Sequence, residues 1–488
     1  MNSYSYAFSH TKRFNDLILN DRTLRDKFVL GEYNFLQIYQ VLIFNDFKFL
    51  YDEKKSPDSY SLSRGGINFK ATLKRLVSVL VSAWGYAFLI LSRRRILVYA
   101  SDKISDLKYR CDFRMANLYK QLFLKNIKFI EILHTAYDEN FYDYVIKRRR
   151  PALYLESADL FYKIFSKFNF KKSKEPVNTA DFSSFGEEAE FAELLLKKYL
   201  AMIDKTRFRI NCISKLLRLS GIKTLICVPD TRNYHELVQA CSLNKIKTYA
   251  FGSGALSKYD VGLLDSSSRK GNIIKPDTLF LSSQYWIEEL LRLGSIFDRN
   301  ELVIGGDIKE DRLAANDTGA MTIREKEREI TVLVSYETGA IKSAVREYIQ
   351  KMLKCPDTRV IFSIRPGRDV GAQFAEYGIE NMPENFSAMN NLSKAINDAD
   401  FIAGTQSTLM YDMIGYRKPV LILKTDMDML EGMAQNGLAD TLDINDADFC
   451  QRLRKAKETS FEVLTQRKKR LYEGAVSLDK TLSEILKK

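Results

Sequence analysis

From residue 94 to residue 423 the chain alternates between short apolar, β-rich runs and longer stretches with helical spacing. That alternation is the strongest constraint in the sequence. Strands separated by helices pair in parallel, and the helices then cover both faces of the sheet. The strand-like runs are RRILVYAS (94–101), KFIEIL (128–133), PALYLE (151–156), KTLICVPD (223–230), KTYAFGSG (247–254), DTLFLSS (277–283) and ELVIGGD (301–307). Helical patterns fall over 186–219, as one or two helices, and over 234–244. A polar stretch, 309–329, interrupts the series. Beyond it the alternation restarts: ITVLVSYE, helix 341–353, TRVIFSIRP, helix 387–397, DADFIAG, helix 407–416, KPVLIL. Two more helices follow, over 446–457 and about 459–487.

A single sheet holding all these strands would be improbably wide, and 488 residues exceed one ordinary core. The expected fold is α/β: two Rossmann-like domains with a cleft between them, plus a helical N-terminal extension. The boundaries read as 1–93 for the extension, 94–315 for an acceptor-binding domain and 325–488 for a nucleotide-binding domain.

The chain carries a net charge of +13, and residues 1–150 hold 26 Lys/Arg against 15 Asp/Glu, a surplus of 11. A basic third of this kind suits nucleic acid, an anionic membrane face or an anionic substrate. No helix-turn-helix, zinc finger or RNP-like pattern is present, so nucleic acid is not expected as a partner. Residues 76–92, LVSVLVSAWGYAFLILS, are uncharged and flanked by Lys74 and Arg75 before and Arg93, Arg94 and Arg95 after. Such a segment is a buried helix, a helix lying in a membrane interface or a short span. The basic flanks favour peripheral attachment to the inner face of the cytoplasmic membrane. Six dispersed cysteines without a CxxC read as reduced thiols, and three histidines without HExxH make a histidine-built metal site unexpected. The N-terminus lacks the apolar core of a signal peptide, so the expected location is cytoplasmic.

The junction ADFIAGTQSTLMYDMIGYRKPVLIL (399–423) concentrates the chemistry. Gly404, Thr405, Gln406, Ser407 and Thr408 stand where a strand ends and a helix begins. Ligands of open parallel sheets sit at such ends, where exposed amides and hydroxyls suit phosphate. Ser407 is placed to cap the helix, a role serine also fills for stability alone. Asp412 lies one turn further and suits a ribose hydroxyl or a plain solvated surface.

ADFIAGTQSTLMYDMIGYRKPVLIL resembles the pattern of an apolar strand, G-x-x-S-[ST], an acidic helix residue and G-K-P-V found in GT-B enzymes of bacterial surface-carbohydrate assembly. These include the Kdo and sialic-acid transferases of capsules and the glycerol-phosphate transferases of teichoic acids. In that family the Ser/Thr pair holds the donor's phosphates, which maps onto Ser407 and Thr408. TRVIFSIRPGRD is similar to the family's K-x-H-P element, with Arg365, assisted by Arg368, in the phosphate-pairing place. The histidine of that element is absent. NKIKTYAFGSG puts Gly252, Ser253 and Gly254 where the family has Gln-His-Gly, so that histidine's role does not transfer. The resemblance spans roughly residues 220–440.

A transferase needs a group to take the acceptor's proton or to attack the donor. Asp230, which directly follows the strand TLICV, is the first candidate and His235 the second; Asp102, Asp138, Glu139 and Glu236 are further ones. Tyr336 and Glu337, after the first strand of the second half, are expected to line the cleft, with Gly339 permitting a tight turn. No DxD stands in a metal-chelating context, so no metal and no other cofactor is expected beyond the nucleotide-sugar substrate. The resemblance implies transfer of a sugar, with a CMP-ulosonic acid as the favoured donor, to a lipid-linked or growing polysaccharide. A CDP-glycerol-type polyol-phosphate transferase and a non-catalytic GT-B-like binding protein are the alternatives.

Overall fold

The computed structural model describes the chain except residues 1, 54–68, 92–93, 100–107, 134–151, 156, 160–161, 163–180, 230–233, 253–255, 265–272, 310–328, 338–340, 365–370, 372–373, 375–376, 378–382, 428 and 488. It contains two large parallel sheets covered by helices, the α/β architecture expected of the alternation. A two-residue hairpin, β1 (Val29–Leu30) and β2 (Tyr33–Asn34), precedes them.

All seven runs read as strands in the first half form one sheet: β3 (Ile96–Tyr99), β4 (Phe129–Leu133), β5 (Ala152–Tyr154), β6 (Thr224–Cys227), β7 (Lys247–Phe251), β8 (Thr278–Leu281) and β9 (Leu302–Ile304). Their spatial order is β5-β4-β3-β6-β7-β8-β9. The second sheet has six strands: β10 (Ile330–Val334), β11 (Thr358–Ser363), β12 (Phe386–Met389), β13 (Phe401–Gly404), β14 (Val420–Leu423) and β15 (Asp440–Leu442), in the order β12-β11-β10-β13-β14-β15. Their central strands are buried on both faces, as parallel sheets demand.

The structure corrects three readings. The expected helix over 387–397 begins only at Leu392, behind the Asn391 cap, because Phe386–Met389 pairs with β11 as an edge strand. The expected C-terminal helix over 459–487 is two, Phe461–Leu471 and Leu478–Lys487; Gly474, at φ +69°, lies in the break. Cys355 and Cys450 are not free thiols. They form a disulfide between the end of one helix and the start of another, with Cα atoms 5.5 Å apart.

The helices of the first 53 residues pack into the first half rather than beside it. Phe14, Phe35, Tyr39 and Phe47 are fully buried, each contributing roughly 2 kcal/mol through the area removed from water. Tyr39 stacks near Tyr199 of the 31-residue helix Ala189–Leu219 and donates to Thr206 at 2.8 Å. Lys198 and Tyr199 both reach Asp46 at 2.6 Å. The last helix, Leu478–Lys487, crosses back to the first sheet. Gly306 donates to Thr481 at 3.1 Å, and a side chain at Gly306 would collide with the backbone of Leu478.

The uncharged segment 76–92 lies mostly within a helix, Phe69–Leu91, whose described side chains face two ways. Ser82, Gly85 and Leu89 are buried, whereas Leu80, Trp84 and Leu91 are 71%, 68% and 79% exposed. No helix among the described residues is long and apolar enough to cross a membrane.

Candidate functional site

In each sheet the chain starts in the middle, winds to one edge, returns, and winds to the other. The reversal lies between β10 and β13 in the second sheet and between β3 and β6 in the first. Outside the carboxyl ends of those paired strands the crossovers diverge, leaving a crevice where ligands of such sheets bind.

At the second reversal β13 runs into Gly404-Thr405-Gln406-Ser407-Thr408, so the sequence-read turn stands at the crevice. Its neighbour across the reversal is Ser335-Tyr336-Glu337, the segment after β10. Glu337 is 2% exposed and turned inward. Its Oε1 accepts from the amides of Thr405 at 3.0 Å and Gln406 at 3.2 Å, and from the Ser335 hydroxyl at 2.7 Å. Tyr377 locks the backbone of the same residue: its Oη accepts from the Glu337 amide and donates to the Glu337 carbonyl, both at 2.7 Å. Burial pushes the Glu337 carboxyl up from the ordinary range, while the amide and hydroxyl donors pull it back. A Cβ at Gly404 would lie 2.1 Å from Ser335 Oγ, so a larger residue there would push that hydroxyl off Glu337.

The five-residue cradle therefore divides. Gly404 and Thr405 are buried, and the Thr405 and Gln406 amides serve Glu337. Ser407 is half-buried and Thr408 exposed, so the outward polar surface is theirs. Ser407 caps the helix as read: its Oγ accepts from the Leu409 amide at 3.3 Å, whereas Thr408, directly before Leu409–Gly415, already has helical dihedrals and makes no side-chain cap bond. Tyr336 and Glu337 do not line a cleft, because both are buried beneath the turn.

Asp412 is 6% exposed and accepts from Lys309 Nζ at 2.5 Å. Lys309 follows β9 of the first sheet, so this ion pair bridges the two halves directly beside the crevice. The polar run beginning at Lys309 looked like linker, and its position just beyond a strand end was the signal that it faces a site. Other contacts extend the seam. Trp286 packs against Tyr411 with ring centroids 4.6 Å apart, Asn436 donates to Tyr285 at 3.3 Å, and Lys258 pairs with Glu431 at 3.3 Å. Burial holds the Tyr411 hydroxyl well above its usual pKa.

At the first reversal, β3 ends at Tyr99 and β6 at Cys227. Asp230, Asp102, Asp138 and Glu139 lie outside the described residues, as do Arg365, Arg368, Ser253, Gly254 and Gly339. His235 and Glu236 are described, and both are withdrawn into the core. His235 is 3% exposed, packs against Tyr234, and is pushed by burial down to about 3. So placed, the ring presents no open face to a substrate, and the base role read for it in the sequence has no support from its position here. Glu236 is paired with two nitrogens of Arg209, whose third reaches Asp159 at 2.9 Å. That network fastens helix Tyr234–Ser242 to helix Ala189–Leu219. Among the described residues no cluster of three or more His, Cys, Asp or Glu could hold a metal ion.

No family model matches the chain, and no curated protein matches it. Among solved structures it is similar to a UDP-GlcNAc 2-epimerase from Methanocaldococcus jannaschii, at 14% identity over 81% of this chain and 100% of that one, TM-score 0.47. It is similar to MurG from Acinetobacter baumannii at 10% identity over 81% and 99%, TM-score 0.46. It is also similar to the glycosyltransferase SnogD from Streptomyces nogalater at 10% identity over 81% and 99%, TM-score 0.43. Likenesses of that size carry no argument about activity, and the architecture stands on its own strand order.

Proposed function

We propose that the chain is a GT-B glycosyltransferase that takes a sugar from a nucleotide donor, with the donor's phosphates at Ser407 and Thr408. The observation that carries this reading is the position of that turn: it follows a reversal-point strand, ends in the half-buried Ser407 and the exposed Thr408, and stands beside the inter-sheet pair Lys309–Asp412. Lys309, joined by Arg365, supplies positive charge for the leaving phosphate in place of a metal. Asp412 positions Lys309 rather than reading the ribose. Asp230, after the reversal-point strand β6, takes the acceptor's proton. The acceptor is a lipid-linked or growing surface glycan met at a membrane face, and a CMP-ulosonic acid is the donor favoured by the Ser-Thr pattern.

One observation favours the non-catalytic alternative. Glu337 already occupies two of the turn's amides, leaving fewer donors for a phosphate. Calorimetry with CMP, CDP, UDP, GDP and ADP separates the two. The transferase reading expects one preferred nucleotide, an affinity unchanged by a chelator, and a roughly ten-fold loss in Ser407→Ala, the value of one hydrogen bond to a charged group. Binding to none of them removes the donor site and leaves the alternative standing. If a nucleotide binds, Asp230→Asn is expected to slow transfer by about two orders of magnitude or more at unchanged donor affinity.

A further inference from the structure

We infer that the helix Phe69–Leu91 and a basic pocket at its carboxyl end form a docking surface for an anionic phospholipid bilayer, with the pocket taking a lipid headgroup. This rests on the membrane-facing part of the reading above and adds where the contact is made.

The helix is fixed along one side. Gly85 sits so close to the carbonyl of Ala152 that a Cβ would stand 2.2 Å from it, and Ser82 accepts from the Tyr154 amide at 3.0 Å. The opposite side carries Leu80, Trp84 and Leu91, with Ile90 on its flank at 42% exposure. From Leu76 to Leu91 there is no charged residue. An apolar stripe of this kind is costly in water, and Trp is the side chain best suited to a membrane interface.

Three residues beyond Leu91 the chain reaches Arg94, at most about 11 Å away. Arg94 and Arg95 line a cavity of about 380 Å³ beneath the amino-terminal ends of the first sheet's strands. Lys128, Lys223 and Lys247 complete its basic wall, and Ile485 and Leu486 of the last helix form an apolar one. Among the described lining residues none is acidic. Lys247 has Asp277 at 3.3 Å, and Arg94 is held by the Phe129 carbonyl and lies over the Phe88 ring at 4.5 Å. Cations converging at one strand end repel one another unless an anion sits among them. A nucleic acid would answer the charge but not the adjoining aliphatic stripe. A phosphate headgroup with acyl chains behind it answers both. The pocket lies at the opposite end of the strands from the crevice, so headgroup binding leaves the donor turn unobstructed.

The chain holds two tryptophans, Trp84 and Trp286, and the second is only 8% exposed, so a change in emission on vesicle binding reports Trp84's surroundings. The experiment is co-flotation of the full chain with vesicles of phosphatidylcholine alone or of equal parts phosphatidylcholine and phosphatidylglycerol, with tryptophan emission recorded. The expected result is flotation with anionic vesicles only, a blue shift on binding, and release by salt. Lys128→Gln and Lys223→Gln should each weaken partitioning about five-fold, and Leu91→Ser should weaken it with unchanged melting behaviour. Trp84→Ser should abolish the shift. No flotation with either vesicle overturns the inference, as does equal flotation of all variants. Protection of the pocket by inorganic phosphate without vesicle binding overturns it in favour of a soluble anion. Nucleotide calorimetry on the same samples keeps the cases apart: vesicle binding without nucleotide binding removes the transferase, and the reverse removes the docking surface.

Discussion

The two sheets share one winding order, yet their reversal points are furnished differently. At the second, a buried carboxylate faces into the turn, spends itself on two amides, and leaves Ser407 and Thr408 outward. At the first, the described titratable groups, His235 and Glu236, have turned into the core. Topology thus supplies a crevice at both places, but only the direction of each side chain decides whether chemistry is available there. The second reversal point holds its own turn firmly and leaves Ser407 and Thr408 at the surface. The described part of the first is built to hold helices together.

The comparison breaks most sharply at Glu337. Glu337→Ala strands two amides and a hydroxyl, and unfolding free energy should fall by about 3–5 kcal/mol in urea titration. Glu337→Gln keeps an acceptor and should recover most of that. If alanine costs less than about 1 kcal/mol, the turn is not clamped as described.

Next comes the bridge between the halves. Lys309→Ala removes the cation paired with the buried Asp412 and should cost about 3 kcal/mol, whereas Lys309→Met combined with Asp412→Leu should restore much of it. A thermal-denaturation cycle reads the coupling. Additive losses would make the pair a bystander.

The first reversal point is probed by acid. The folded-state pKa of His235, about 3, lies below its ordinary value. The unfolded chain therefore binds the proton more readily in between, and stability falls as pH drops from about 6.5 toward 3. His235→Leu should flatten that decline. A variant with the parent's acid profile would mean the ring reaches solvent. The smallest effect is Ser407→Ala, which removes the bond to the Leu409 amide and should cost about 1 kcal/mol while weakening nucleotide binding. Its stability change is read by urea titration beside the calorimetry.

Much of the architecture was legible because parallel strands buried on both faces must be apolar runs, and all seven of the first sheet announced themselves so. β12 did not: Phe386-Ser-Ala-Met389 has no β-branched residue, and an edge position asks less of its side chains. The disulfide joins cysteines 95 positions apart, a distance no local pattern bridges. Within the site, sequence located the turn but not its orientation. Tyr336 and Glu337 follow the strand's end, where alternation no longer tells inside from outside. Lys309 was hidden by its polar surroundings, since only the second half's arrival beside β9 gives it Asp412 to meet.

The central claim, that the turn after β13 holds a nucleotide's phosphates, is tested most directly by a crystal structure with the preferred nucleotide diphosphate. Phosphate oxygens within hydrogen-bonding distance of Ser407 and Thr408, with Glu337 still bonded to Thr405 and Gln406, are the result this account predicts. Phosphates bound elsewhere, or seated only after Glu337 has been expelled from the turn, would contradict it.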